Sequence, residues 1–226
     1  MQRRQMNFTE GSIPRHLLRF SWPMFVGNVL QALYNLVDSI WVGRFVGARG
    51  LGAVSVSFPI IFGLIALIMG ITMATTTLVA QFYGARRQDM VQKVNANSML
   101  LLVYLGTMTA VIGIFVQRPL LELINTPPEI IDMAASYLGI FLLGLPFMFI
   151  YNVVGAILRG LGDSRTPLRF LVYASIINGV LDPLLIAGVG PFPRLGVAGA
   201  ALATVIAQVI SAYISVRYLL KADMLK

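Results

Sequence analysis

The chain alternates between long apolar runs and short breaks carrying Gly, Pro, Arg or Lys. Positions 51–83, 94–117, 133–158 and 195–216 hold no charged residue, 20–42 holds only Asp38, and 170–193 holds only Asp182. A hydrocarbon core of about 30 Å takes roughly 20 helical residues to cross. The pattern therefore predicts an all-α, polytopic membrane protein with six transmembrane helices, spanning approximately 17–44, 52–83, 91–117, 131–158, 167–190 and 195–220. Barrel strands need only about 9–11 residues and an alternation that these runs lack. The breaks are short turns, such as Gly84-Ala85-Arg86-Arg87, Thr126-Pro127-Pro128-Glu129 and Gly162-Asp163-Ser164-Arg165-Thr166-Pro167. None holds a soluble domain, so positions 1–226 are expected to form a single six-helix unit.

Composition strengthens this picture. Hydrophobic residues make up 58% of the chain and charged residues 12%, more apolar surface than one water-soluble core buries. There is no cysteine, which removes disulfides, zinc clusters and thiol nucleophiles. The net charge of +8 does not signal nucleic-acid binding, because the basic residues fall in small clusters between apolar runs. Arg3, Arg4, Arg15 and Arg19, then Arg86, Arg87 and Lys93, then Arg159, Arg165 and Arg169, then Arg217, Lys221 and Lys226 all fall on one side of a six-span topology. Only Arg44, Arg49, Arg118 and Arg194 fall on the other. The positive-inside rule makes the richer side cytoplasmic and puts both termini there, in the cell inner (plasma) membrane. The basic start before an apolar run is not read as a cleaved signal, since that run contains Asp38 and lacks a small-residue cleavage site.

Two residues conflict with the apolar setting. A carboxylate inside a membrane helix costs about 2.5–3.5 kcal/mol on insertion scales and faces a cavity or a partner. In span five, Asn178 and Asp182 are one turn apart with Ser175 a turn earlier, and Pro183 leaves the carbonyl of Gly179 without its helical donor. A broken helix of this kind is a common ion site in transporters. In span one, Gly27, Gln31, Tyr34 and Asp38 recur at helical spacing with Asn35 alongside, and Pro23 is expected to kink or break the helix. At about 1.5 Å per residue, Asp38 lies roughly 28 Å from the inner end of span one, Asp182 roughly 21 Å from that of span five, and Thr204 roughly 13 Å in from the outer face. Asp38, Asn178, Asp182 and Thr204 are thus expected to converge in the outer half of the membrane, as an oxygen-rich set suited to a proton or a hard cation such as Na+. The rival reading is that the aspartates only fix helix packing.

Thr72, Thr75, Thr76 and Thr77 in span two, and Tyr137, Phe141, Met148, Tyr151 and Asn152 in span four, offer hydroxyls, aromatic faces and thioethers for amphipathic cations. Helix packing is the alternative for each. Gly196, Gly199, Ala200, Ala203 and Ala207 in span six read as packing residues. No nucleophile with a base, phosphate loop or His cluster is present, so no enzyme is expected; His16 is the sole histidine.

Five stretches resemble the multidrug and toxic compound extrusion (MATE) transporters over nearly the whole chain. They are Leu33-Tyr34-Asn35-Leu36-Val37-Asp38-Ser39-Ile40-Trp41-Val42-Gly43, Leu78-Val79-Ala80-Gln81-Phe82-Tyr83-Gly84-Ala85, Leu158-Arg159-Gly160-Leu161-Gly162-Asp163-Ser164-Arg165-Thr166-Pro167, Asn178-Gly179-Val180-Leu181-Asp182-Pro183, and Gly196-Val197-Ala198-Gly199-Ala200-Ala201-Leu202-Ala203-Thr204. The resemblance implies an amino-terminal six-helix lobe of a transporter whose two lobes rock between outward-open and inward-open states. Such transporters exchange H+ or Na+ for organic cations or drugs and need no other cofactor. It carries the cation site onto Asp38, Asn178, Asp182 and Thr204, makes Pro23 the bend of span one, and makes Gln31, Tyr34, Tyr137 and Asn152 neighbours of the site. It also implies partners: membrane lipid, small organic cations, and a second six-helix lobe or a homodimer partner, because the chain holds one set of six spans. Two other readings stand beside it, a non-transporting membrane subunit or fragment with structural aspartates, and a transporter of lipid-linked metabolites on a related fold.

Overall fold

The computed structural model describes residues 12–221. Arg3, Arg4 and Lys226, which contribute to the orientation signal, lie outside the described residues. Within them the chain forms six helices: α1 (Ile13–Phe45), α2 (Ala48–Gly84), α3 (Gln88–Leu123), α4 (Pro128–Gly160), α5 (Arg165–Ala187) and α6 (Val197–Lys221). A backbone in lipid must satisfy its polar groups internally, and helices do this within one segment. By length and composition α2 to α6 are each apolar enough to cross a membrane. α1 falls short of that measure because Gln31, Asn35 and Asp38 interrupt it, although its 33 residues extend about 50 Å.

The helix ends follow local chemistry. α5 stops at Ala187 because Gly188 adopts a left-handed conformation, with φ of +72°. α3 continues past the charge at Arg118 to Leu123, and Arg118 pairs there with Glu122 at 3.6 Å and with Asp132 of α4 at 3.2 Å. The α4–α5 turn depends on Gly162, with φ of +83°. Asp163 Oδ1 then accepts from the backbone N–H of Arg165 and of Thr166, each at 3.0 Å, while its Oδ2 accepts from the Thr166 hydroxyl at 2.6 Å. These bonds satisfy donors that the first turn of α5 leaves open.

α4 is the centre of the lobe. It is apolar on nearly all sides and packs against α2, α3 and α6, burying Leu138, Leu142, Leu145, Phe149, Ile157 and Leu158. α5 packs on α6, and α1 on α5. Small residues set the closest approaches: a Cβ on Gly160 would lie 2.7 Å from Val79 of α2, and one on Gly199 would collide with the backbone of Leu185. α1 and α2, although consecutive, meet over only a short stretch, and α1 buries only Pro23 and Val42. α1 and α2 are therefore not packed together along most of their length. α4 leaves Leu143 and Phe147 exposed.

Two expected helix breaks are absent. α1 runs unbroken through Pro23 and α5 through Pro183, since a single missing N–H removes one rung of a ladder that neighbouring packing still holds.

Candidate functional site

α1, α4, α5 and α6 deliver polar side chains to one end of the lobe. Asp38 lies seven residues before the end of α1, Asp182 five before the end of α5, Thr204 seven into α6 and Tyr137 nine into α4. Each is therefore about 8–14 Å from the same end of the bundle. The periodicity that puts Asn178 and Asp182 on one face of α5 aims both at α6 and α1, where they are 1% and 0% exposed; Thr204 is 8% exposed.

Asn178 is the hub. The side-chain amide atom nearest the carboxylates lies 2.8 Å from Asp38 Oδ1 and 3.1 Å from Asp182 Oδ2. With nitrogen at that position the amide donates to both carboxylates, while its oxygen accepts from the Tyr34 hydroxyl at 3.2 Å and from the Thr204 N–H at 3.3 Å. In that orientation every hydrogen-bonding position of the amide is filled. The Tyr34 hydroxyl also lies 3.1 Å from Thr204 Oγ1. Asp38 and Asp182 face each other at hydrogen-bonding range, and Tyr137 stands within electrostatic range of both.

Asp38, Asn178, Asp182 and Thr204 thus come together, with Tyr34 as a direct partner and Tyr137 beside them. Two carboxylates in contact repel unless a proton or cation sits between them. With the amide turned the other way, oxygens of Asp38, Asp182 and Asn178 converge, and the amide nitrogen donates to Thr204 Oγ1 at 3.3 Å. No group of three His, Cys, Asp or Glu occurs among the described residues to hold a more demanding metal.

Other expected neighbours lie elsewhere. Asn152 is not at the cluster: its amide donates to the Met148 carbonyl at 2.8 Å in its own helix, about 22 Å along α4 from Tyr137. Gln31 is exposed and donates to Asn35 at 3.4 Å. Pro23 is buried about two turns from Gln31, away from the cluster. Three of the four span-two threonines are packing groups, whereas Thr77 is exposed and donates to the Met73 carbonyl of its own helix at 3.0 Å. Thr72, Thr75 and Thr76 donate to carbonyls of their own helix, Thr75 also to Ser98 of α3 at 3.1 Å and Thr76 to the Ala156 carbonyl of α4 at 3.1 Å. The capping role of Asp163 and the half-buried position of Arg159 were not read from the sequence. The capping signal was an Asp three residues before a Thr at the start of an apolar run.

Comparison with known proteins agrees with the six-helix architecture. The family description MatE matches residues 23–184. YpnP of Bacillus subtilis, described as a probable multidrug resistance protein, is 38% identical over 216 residues, covering 95% of this chain and 47% of YpnP. A protein of Shewanella oneidensis described as an FAD transporter is 31% identical over 90% of this chain and 45% of its own length. A solved outward-facing structure of a multidrug resistance MATE transporter of the MOP superfamily superposes with a TM-score of 0.86 at 32% identity, covering 92% of this chain and 45% of that one. The chain spans about half the length of the curated relatives it matches. These relatives are transporters, not enzymes. A six-helix lobe with this polar cluster, matched by the family description over most of its length, belongs to the MatE family of multidrug and toxic compound extrusion transporters.

Proposed function

We propose that this chain is one lobe of a cation-coupled antiporter that exports organic cations or drugs. The observation that carries the reading is the Asp38–Asn178–Asp182 cluster, with Asn178 and Asp182 buried and Asp38 half-buried, two carboxylates in contact and bridged by a single amide. Such a pair holds a proton or Na+ in one state and gives it up in another, and loss of the ion leaves two like charges that push α1 away from α5. α1 is suited to move, because it is held chiefly by α5 and barely touches α2. Pro23, which lacks a backbone N–H, is the place where it bends. The loosely packed space between α1 and α2 is this lobe's contribution to the substrate path. A second lobe, in the same or another chain, supplies the facing wall. The excess of basic residues at the Arg86, Arg87, Arg159 and Arg165 end supports a cytoplasmic position for it, which would put the cluster near the outer face of the inner membrane.

The test is uptake of ethidium into inverted vesicles, the counterpart of cellular export, under an imposed pH or Na+ gradient and with the assembled transporter. Asp38→Asn and Asp182→Asn are each expected to lower gradient-driven uptake at least tenfold while the protein still inserts. Full coupled uptake by either variant would mean that the aspartates are structural. The relative described as an FAD transporter favours a second cargo reading, an anionic flavin nucleotide, and competition between ethidium and FAD in the same vesicles separates the two.

A further inference from the structure

Arg159 stands apart from the other basic residues. Among the described residues every other Lys and Arg is exposed, whereas Arg159, next to the last residue of α4, is half-buried. Arg87 and Arg118 have carboxylate partners, Arg194 donates to the Phe45 carbonyl and Arg217 to the Tyr213 hydroxyl. Arg159 engages no carboxylate among the described residues, and the nearest acid in sequence, Asp163, is occupied by Arg165 and Thr166.

Two ordinary explanations fail. The guanidinium does not cap its helix: among the described residues it donates to none of the last α4 carbonyls, and those of Ile157, Leu158 and Arg159 accept from the N–H groups of Leu161, Asp163 and Gly162. Nor does it extend outward to water, as an arginine near a membrane helix end ordinarily does. It folds back over Gly155, toward the middle of the helix, so that a Cβ on Gly155 would meet Nη1 at 3.1 Å. Gly155 provides the space, and Pro167 of α5 borders it at 3.9 Å. Tyr151 lies one turn beyond Gly155, within electrostatic range of the guanidinium. Leu143, Phe147 and Tyr151 follow at intervals of four on one side of α4, the first two exposed. The result is a ridge that winds round α4 and ends on a phenol and a guanidinium with no carboxylate partner among the described residues. It lies about 33 Å along α4 from Tyr137, at the other end of the lobe from the cation cluster.

We propose that Arg159, with Tyr151, is a binding site for the phosphate of an amphipathic molecule whose apolar part lies along Leu143 and Phe147. A partly desolvated guanidinium without a counter-charge is unfavourable, and its planar fork matches phosphate oxygens in a bidentate geometry. The phosphate is carried by a lipid headgroup or by a free aromatic ester. The site does not depend on the antiport reading, since it shares no residue with the cation cluster.

The experiment measures binding to the purified full chain in detergent of dioleoyl phosphatidylglycerol, of dioleoylglycerol as the phosphate-free control, and of phenyl phosphate. Native mass spectrometry serves for the lipids and titration calorimetry for the soluble ester. The expected result is binding of at least one phosphate probe that Arg159→Gln weakens about tenfold or more, as for loss of a charge-assisted pair. Arg159→Lys restores part of it, and Arg165→Gln, at an exposed neighbour, leaves it unchanged. Dependence on Arg159 for phosphatidylglycerol alone identifies a lipid source, and for phenyl phosphate as well a free one. Gly155→Val keeps the arginine but fills the space over which the guanidinium folds, so it weakens binding several-fold even where Arg159→Gln fails to fold. Asp38→Asn retains phosphate binding whether or not it transports. Binding of both phosphate probes that is indifferent to Arg159→Gln and Gly155→Val, or no stronger for phosphatidylglycerol and phenyl phosphate than for dioleoylglycerol, overturns the proposal.

Discussion

Replacing Asn178 with alanine tests the hub of the polar cluster most directly. The amide lies 2.8 Å from Asp38 Oδ1 and 3.1 Å from Asp182 Oδ2, and its other end accepts from Tyr34 at 3.2 Å. Hydrogen bonds to charged groups contribute about 1.5–3 kcal/mol each, so the two to carboxylates together are worth about 3–6 kcal/mol. Some of this returns when water enters the space or a carboxylate takes up a proton, which leaves an expected loss of about 3 kcal/mol. For a chain of this size that lowers the unfolding midpoint by about 6–12 °C. The assay is thermal unfolding of purified protein in detergent followed by circular dichroism, with Asn152→Ala as the comparison. Asn152 also donates one hydrogen bond, but to a carbonyl of its own helix, so its loss is expected to stay within about 1.5 kcal/mol. If the two variants melt together, Asn178 does not organise the cluster and the geometric argument for a shared ion site fails.

Two further predictions concern the scaffold. Gly199→Ala puts a methyl into the backbone of Leu185 and is expected to destabilise by about 1–3 kcal/mol, whereas Gly63→Ala meets open space and gains up to about 1 kcal/mol of helix propensity; melting midpoints of the two variants should move in opposite directions. Asp163→Ala removes the bonds to Arg165 and Thr166 and is expected to cost about 0.5–2 kcal/mol, seen as faster amide hydrogen exchange confined to the first turn of α5.

The division between what is visible in the sequence and what is not follows the range of the forces involved. Crossing a membrane is decided locally, by about 20 apolar residues in a row, so the six helices and their short turns can be read from the chain itself. The same cost of burial makes Asp38 and Asp182 conspicuous and gives them a common depth. Depth along a helix still leaves its neighbours open. That Asn178 bridges both carboxylates while Asn152 turns back to Met148 depends on α1 and α6 flanking α5, which no local periodicity encodes. The threonines of α2 show the same limit: their pattern suits a polar lining, but α3 and α4 pack over that face and take the hydroxyls of Thr75 and Thr76 as interhelical bonds. Pro23 and Pro183 were legible as weak points, yet both helices run through them, because packing against neighbours outweighs one missing hydrogen bond. Arg159 is the clearest case. In sequence it is one of several basic residues marking the inner side, and only the tertiary structure shows its guanidinium folded back over Gly155. Charge and hydropathy are properties of a residue and its near neighbours in the chain. Whether a charge meets water, a partner or neither is settled by what the fold brings beside it.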